Sequence, residues 1–173
     1  MIKTVSVLLA NSDRRLNNLI EVAVRNVCYE QLHVECSTTW RLDELLHRGC
    51  LSEFGLIFVA PDHLVSGPSP RATQVRVPDA ARVIRTIKHQ RAVPIIAVGA
   101  NPQDEQALLQ AGADHVFGIL FDRDALGAQV RTVLNLRDEV AEEPESTRWS
   151  FATGLLRGWQ RLGQTLSVEA LKR

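Results

Sequence analysis

A continuous apolar run occupies residues 56–60, Leu-Ile-Phe-Val-Ala, directly after Phe54 and Gly55. An uninterrupted run of this length is typical of a strand that is buried on both faces of a parallel sheet. Parallel strands are joined by crossover connections, usually helices, so such a strand implies helices on either side of it in the sequence. The run therefore predicts an α/β domain.

Four more strands and five helices alternate with this run along the chain, which predicts a doubly wound five-stranded parallel sheet. A long loop without secondary structure is expected at Pro61–Pro78, because it contains four prolines and a glycine. Thr39 and Asn101 are the expected N-caps of two helices, and Gly49 and Gly112 the expected C-terminal signals. The predicted strands are Val5–Ala10, Leu32–Cys36, Leu56–Ala60, Pro94–Val98 and His115–Leu120, and the predicted helices are Arg14–Tyr29, Trp40–Arg48, a helix from Asp79, Pro102–Gly112 and Asp122–Leu136.

Composition narrows the function classes. The chain has 173 residues with 20 Lys and Arg against 20 Asp and Glu, a balance that argues against a dedicated nucleic-acid binder. Its apolar runs are far shorter than the roughly 20 residues of a membrane span, and no signal segment is recognised, so a cytoplasmic location is expected. The three cysteines are expected to be reduced, buried thiols, and no cofactor or metal is expected. The less favoured alternative is a zinc site formed by the cysteines with His33 and His47.

Several strings within residues 1–136 resemble the receiver domain of bacterial response regulators. They are Val7-Leu8-Leu9-Ala10, Phe54-Gly55-Leu56-Ile57-Phe58-Val59, Pro94-Ile95-Ile96-Ala97-Val98 and Ala111-Gly112-Ala113-Asp114. The resemblance implies a flavodoxin-like sheet whose functional site lies at the carboxyl ends of the strands.

The resemblance also implies five positions that carry phosphoryl chemistry in an ordinary receiver. Two acids and a phospho-accepting Asp hold Mg²⁺, a hydroxyl contacts the phosphoryl group, and a Lys neutralises it. At each of the five aligned positions the required residue type is missing, so the chain resembles a degenerate pseudo-receiver. The five positions align with Asn11 and Ser12 for the acid pair, Ala60 for the acceptor, Gly99 for the hydroxyl and Ile119 for the Lys.

Nearby polar residues leave alternatives open. Asp13, Asp62 and His63 are expected near the same sheet edge, where they form a possible pocket. Asp62 is a candidate for a shifted phospho-acceptor. The least favoured alternative is an enzyme site formed by all three residues. The blander interpretation is that Asp13 caps the first helix and Asp62 is a loop carboxylate.

The last 37 residues differ in composition from the rest. Residues 137–147 hold five acids and one base and are interpreted as an acidic linker, whereas residues 148–173 hold five bases and one acid. An apolar stripe at helical spacing predicts that 148–173 form an amphipathic helical extension. It is expected to pack on its own domain or a second copy, to bind another protein, or, less favoured, to lie on a membrane surface. The proposed partner-binding residues are Trp149, Leu155, Leu156, Trp159, Leu162 and Leu166.

Basic residues recur along the predicted helix from Asp79. Arg82 and Arg85 are candidate partner-binding residues, with contact to the acidic linker or an acidic partner weighed against a solvated face. Direct DNA binding is not expected, because no helix-turn-helix follows the domain.

Together these features predict a non-enzymatic, phosphorylation-independent signalling adaptor that acts through protein contacts and self-associates, as a dimer, through its tail. The alternative is a pseudo-receiver gated by a small molecule in the vacated phosphorylation pocket.

Overall fold

The computed structural model describes residues 3–29, 31–50, 53–66, 73–74 and 76–136. The acidic linker and the amphipathic extension predicted at 137–147 and 148–173 lie outside these residues. No helix in the described ranges has the length and apolar character needed to cross a membrane.

A five-stranded parallel sheet forms the centre of the fold, and its strands lie in the order β2 (Leu32–Thr39), β1 (Lys3–Ala10), β3 (Leu56–Val59), β6 (Ile95–Ala100) and β7 (His115–Gly118). This order matches the flavodoxin-like doubly wound arrangement and confirms the predicted fold class. A separate small ribbon contains β4 (Val65–Ser66) and β5 (Thr73–Gln74).

Five helices cover both faces of the sheet. They are α1 (Arg14–Cys28), α2 (Leu42–Gly49), α3 (Val77–Gln90), α4 (Pro102–Ala111) and α5 (Arg123–Leu134). One core cluster joins α1 and α5 to one face of the sheet, and the other joins α2, α3 and α4 to the opposite face.

Strand β3 shows why the opening run of the sequence is continuously apolar. Leu56 and Phe58 belong to the cluster under α1 and α5, whereas Ile57 and Val59 belong to the cluster under α2, α3 and α4. Successive side chains of a strand point to opposite faces, so a strand covered on both faces must be apolar at every position. All four side chains are buried accordingly.

Helix α2 corrects two expectations drawn from its sequence. It begins at Leu42 and not at Trp40, because β2 continues through Thr39, which pairs with Ala10. Thr39 is therefore a buried strand residue and not an N-cap. Gly49 is the last helical residue, and a Cβ atom there would lie 2.5 Å from Ile87 Cδ1. Its glycine permits the close approach of α2 to α3 and is not a left-handed helix terminator.

The segment expected to be a loop without structure contains regular elements. A 3₁₀ turn forms at Pro61–His63, and β4 pairs with β5 in an antiparallel ribbon. Helix α3 then begins at Val77, two residues before Asp79, with Pro78 in its first turn, where a missing N–H costs nothing. Pro61 and Pro78 thus lie in the first turns of regular elements, and the prediction of an irregular loop is wrong for the described residues of this segment, 61–66, 73–74 and 76–78.

The Ala111-Gly112-Ala113-Asp114 string joins three elements. Gly112 ends α4 with φ of 107°, as its sequence predicts, because glycine adopts the left-handed conformation without strain. Asp114 Oδ2 then accepts hydrogen bonds from Ile95 N at 2.7 Å and Lys88 Nζ at 2.8 Å. One carboxylate therefore ties the end of α3 to the start of β6 and the approach to β7.

Replacing Asp114 with Ala is expected to lower the unfolding free energy by about 2 kcal/mol, because a part-buried amide and a charged partner both lose their acceptor. Asp114→Asn keeps an acceptor oxygen and should lose less, whereas Glu35→Ala, on an exposed strand position, should change little. Urea denaturation measures all three. Equal stability of the Ala, Asn and wild-type proteins would contradict this role.

Candidate functional site

The five positions aligned with receiver chemistry lie at the carboxyl ends of the parallel strands. Asn11 and Ser12 follow β1, Ala60 follows β3, Gly99 is the penultimate residue of β6, and Ile119 follows β7. These ends meet at one edge of the sheet, which is where doubly wound folds place their sites. The structure therefore puts all five at the edge that the sequence predicts, and their side chains decide what the edge can do.

Asn11 is built into the loop between β1 and α1. It is 3% exposed, its Oδ1 accepts a hydrogen bond from Asp13 N at 2.9 Å, and its Nδ2 donates to Asp13 O at 3.2 Å. Its carbonyl accepts from Asn17 Nδ2 at 3.2 Å. Both ends of the Asn11 amide are thus used in shaping the loop, and one of these contacts requires a donor that a carboxylate lacks.

Asp13 caps the first helix, as the blander interpretation holds. Its Oδ1 accepts hydrogen bonds from Arg15 N at 2.8 Å and Leu16 N at 3.4 Å. A carboxylate at this place satisfies free amides and interacts favourably with the positive end of the helix dipole. The two hydrogen bonds that the Asp13 carboxylate accepts are those of a helix N-cap.

Ala60 offers a methyl group at the position that the resemblance aligns with the phospho-acceptor. It is 1% exposed, its N donates to Ala10 O at 3.0 Å, and its carbonyl accepts from His63 N at 3.0 Å. A buried methyl group has no atom that can attack a phosphorus centre or bind a cation. This position is chemically inert.

Gly99 lies in a bulge of β6 that the sequence does not reveal. Ala97 pairs with Val116 and Ala100 with Gly118, so β6 has one residue more than β7 between these pairs. Gly99 has φ of 73°, and a Cβ atom there would meet nothing within 4 Å. The backbone conformation, and not lack of space, therefore disfavours a hydroxyl-bearing residue at this position.

The chain after β3 crosses the carboxyl edge as a strap, which we define as residues 60–66. His63 O accepts from Ser12 N at 3.2 Å, after β1, and Val65 N donates to Trp40 O at 2.9 Å, after β2. The strap thus runs from the end of β3 past the end of β1 to the end of β2. The side chains of Pro61 and Leu64 are buried along this path.

Asp62 connects the strap to the next loop of the edge. Its Oδ2 accepts a hydrogen bond from Asn101 Nδ2 at 3.3 Å. Asn101 does precede α4, but its side chain makes this contact and does not cap the helix. Of the three residues proposed to form a pocket, Asp13 is engaged by α1 and Asp62 by Asn101, while His63 is half-buried in the 3₁₀ turn.

The cysteines lie on both sides of the sheet. Cys28 and Cys36 belong to or border the cluster under α1 and α5, whereas Cys50 packs against the opposite cluster. A single zinc site holding all three is therefore wrong for this fold. Burial raises the pKa of the Cys36 thiol to about 11, so it is protonated at neutral pH. Within the described ranges, no three His, Cys, Asp or Glu side chains are grouped as metal ligands.

Of the proposed partner-binding residues, Arg82 and Arg85 can be placed. Both are exposed on α3 and lie three residues apart. The six apolar residues of the extension, from Trp149 to Leu166, lie outside the described part of the chain.

Asn17 is a polar core residue that the helical pattern does not identify. It lies on the buried side of α1, is 9% exposed, and its Oδ1 has no hydrogen-bond partner among the described residues. The available signal is an Asn beside Leu16 on the apolar stripe of an amphipathic helix. Its Nδ2 supports Asn11, so the loop after β1 depends on two buried amides.

Neither a protein-family model nor a curated protein sequence matches the chain. Solved structures do match. The receiver domain of a sensor histidine kinase from Pseudomonas aeruginosa PAO1, with magnesium in its active-site cleft, is 20% identical, with a TM-score of 0.57 over 76% of this chain and 98% of that one. A two-component response regulator from Clostridium difficile is 15% identical, with a TM-score of 0.56 over 76% and 97%. An orphan response regulator of H. pylori is 15% identical, with a TM-score of 0.55 over 78% and 99%. The fold is therefore the receiver fold.

Proposed function

We propose that this chain is a pseudo-receiver, a phosphorylation-independent signalling adaptor that acts through protein contacts and is not an enzyme. One observation carries the proposal: Ala60, buried and without a nucleophile, stands directly after β3, where a receiver has its phospho-acceptor. The receiver fold points to signalling, but a fold alone does not fix function, so the proposal depends on this edge.

The charges of the edge support the proposal. Asn11 and Ser12 supply no negative charge for Mg²⁺, and Ile119, 63% exposed, supplies no positive charge for a phosphoryl group. The Asn11 amide is already used within its loop. Without these groups the developing charge of phosphoryl transfer would have no compensation.

The strap weighs against the alternatives at this edge. Its hydrogen bonds to Ser12 and Trp40 occupy the ends of β1 and β2, and Asp62 is held by Asn101. A small ligand in the vacated pocket would have to displace these contacts, and an enzyme using Asp13, Asp62 and His63 would have to release both carboxylates. A metabolite that raises the melting temperature of the full chain would favour the ligand-gated alternative.

Incubation with acetyl phosphate and Mg²⁺ is expected to leave the full chain without a phosphoryl adduct, because no described residue at the carboxyl edge of the sheet combines a nucleophile with charge compensation. Intact-mass spectrometry measures this, with an ordinary receiver domain labelled in parallel as the positive control. An adduct on Asp62 that disappears in Asp62→Asn would establish a shifted acceptor and overturn the proposal.

In this adaptor role, the extension at 148–173 carries the recognition, either by self-association or by binding another protein. A membrane-surface contact of the extension is the weaker alternative, DNA binding is not proposed, and a cytoplasmic location remains a prediction. No cofactor enters this proposal.

A further inference from the structure

The outer face of α3 carries a basic stripe, which we call the α3 ridge: Arg82, Arg85 and His89. All three are exposed. Spacings of three and four residues place them on one side of the helix, about 4.5 Å and 6 Å apart along its axis. The opposite side of α3 is buried in the core through five apolar residues, so the helix cannot turn the ridge inwards. Those residues are Ala80, Ala81, Val83, Ile84 and Ile87.

Neighbouring basic residues have partners within the domain, but the two arginines of the ridge differ from them. Lys88 binds Asp114, and Arg91 Nη2 donates to Phe54 O at 3.0 Å. Among the described residues, neither Arg82 nor Arg85 forms an ion pair. The two arginines therefore form a positive surface without an ion-pair partner among the described residues, although Asp79 lies one turn before Arg82 on the same helix.

The same chain contains a segment of matching charge. Residues 137–147 hold five acids against one base. In an extended chain, side chains two residues apart lie on the same side with a separation of about 6.6 Å. Glu143 and Glu145 have this spacing, which exceeds the axial distance of about 4.5 Å from Arg82 to Arg85 by about 2 Å, a difference that long arginine side chains can span. An acidic extended segment thus fits the ridge in sign and in spacing.

A second copy can present this segment to the ridge more readily than the same copy can. The described domain ends at Leu136, just after α5, and α5 and α3 cover opposite faces of the sheet. The nine residues from Leu136 to Glu145 reach at most about 32 Å. A domain of this size is roughly 37 Å across, so the segment is too short to pass from one side of its own domain to the other.

We propose that the acidic segment 137–147 of one copy binds the α3 ridge of a second copy, and the reverse, in a two-fold dimer. The inference rests on the proposed self-association and adds its charged contact. Exposed ion pairs contribute little affinity individually, so the apolar extension supplies most of the binding while the ridge sets orientation and association rate.

Charge reversal tests this contact in the full chain. Arg82→Glu with Arg85→Glu, or Glu143→Arg with Glu145→Arg, is expected to weaken dimerisation about tenfold, because attraction becomes repulsion. Combining all four substitutions should restore dimerisation to within about threefold of wild type, since the pairs are again opposite in charge. Sedimentation at a series of protein concentrations measures the dissociation constants, and raising the salt should weaken the wild type.

The control pair Arg14→Glu and Arg123→Glu changes the net charge equally at exposed positions on α1 and α5 and should leave dimerisation unchanged. An unaffected ridge variant, or a combined variant that stays dissociated, would overturn the inference. If the ridge variant dimerises normally while deletion of 148–173 gives a monomer, the inference fails and the proposed function stands. If the wild type is monomeric at all protein concentrations, the inference also fails. Capture of a partner protein by the full chain then tests the adaptor function separately.

Discussion

Ala60→Asp is expected to destabilise the full chain by roughly 3–5 kcal/mol at neutral pH, although it restores the residue type of an ordinary receiver. Ala60 is 1% exposed, and the adjacent strap passes over the edge with Pro61 and Leu64 buried. A carboxylate placed there enters an apolar setting without a cation or a Lys to compensate it, and an unpaired buried charge is among the most destabilising substitutions.

The loss should depend on pH in a defined direction. Burial raises the pKa of an uncompensated carboxyl above its unfolded value of about 3.9, so the unfolded state releases its proton first as the pH rises. The destabilisation therefore grows above about pH 4 and is smaller in acid, where both states are protonated. Urea denaturation of Ala60→Asp and wild type at pH 4.5 and pH 7.5 measures the difference.

Two further variants separate charge from shape in this experiment. Ala60→Asn has nearly the same volume as Asp without the charge and should show a smaller loss that varies little with pH. Ile119→Lys restores another receiver residue at a position that is 63% exposed and should be close to neutral. A stable Ala60→Asp protein would mean that the edge is open enough to solvate a carboxylate, and the inert-edge argument would fail.

The central strands are predictable from sequence because burial on both faces demands uninterrupted apolar residues, whereas the edge strand β2 is partly exposed and continues beyond its predicted end at Cys36 to Thr39. The run at Leu56–Val59 illustrates this, since every side chain is packed under a helix. Errors arise where one local signal has two physical causes. A glycine such as Gly49 can indicate either the end of a helix or a close contact between two helices. Only the position of Ile87 on the neighbouring helix α3 decides between these two causes.

The residue types on which the pseudo-receiver proposal depends can also be read from the sequence, because neither Ala60 nor Asn11 carries a carboxyl group. The arrangement of segments that are distant in the sequence cannot be predicted in this way. The path of the strap depends on hydrogen bonds from Ser12 and to Trp40, which are far from it in sequence. The bulge at Gly99 depends on the register between β6 and β7. Turn residues such as Pro61 indicate that the chain changes direction, but they do not indicate which strand ends it then contacts.

Deleting residues 148–173 is expected to leave a folded domain and to abolish self-association or partner binding. The whole sheet and its five helices lie between Lys3 and Leu134, so the truncated chain keeps every element of the described fold. The removed segment carries the apolar stripe that includes Trp149 and Trp159. Buried tryptophans are frequent hot spots of protein interfaces, and losing several apolar anchors should weaken binding on the order of 100-fold or more.

Point variants in the full chain test whether binding depends on the apolar stripe itself and not only on the presence of the extension. Leu155→Ala with Trp159→Ala should reproduce most of the loss, because both lie on the stripe, whereas Gln160→Ala with Gln164→Ala, off the stripe, should bind as wild type. Sedimentation and affinity capture from native cells measure the two forms of association, and circular dichroism checks that the truncated domain is folded. A truncated chain that keeps both its solution mass and its captured partner would place recognition on the helices of the domain itself, where the α3 ridge is the first surface to test.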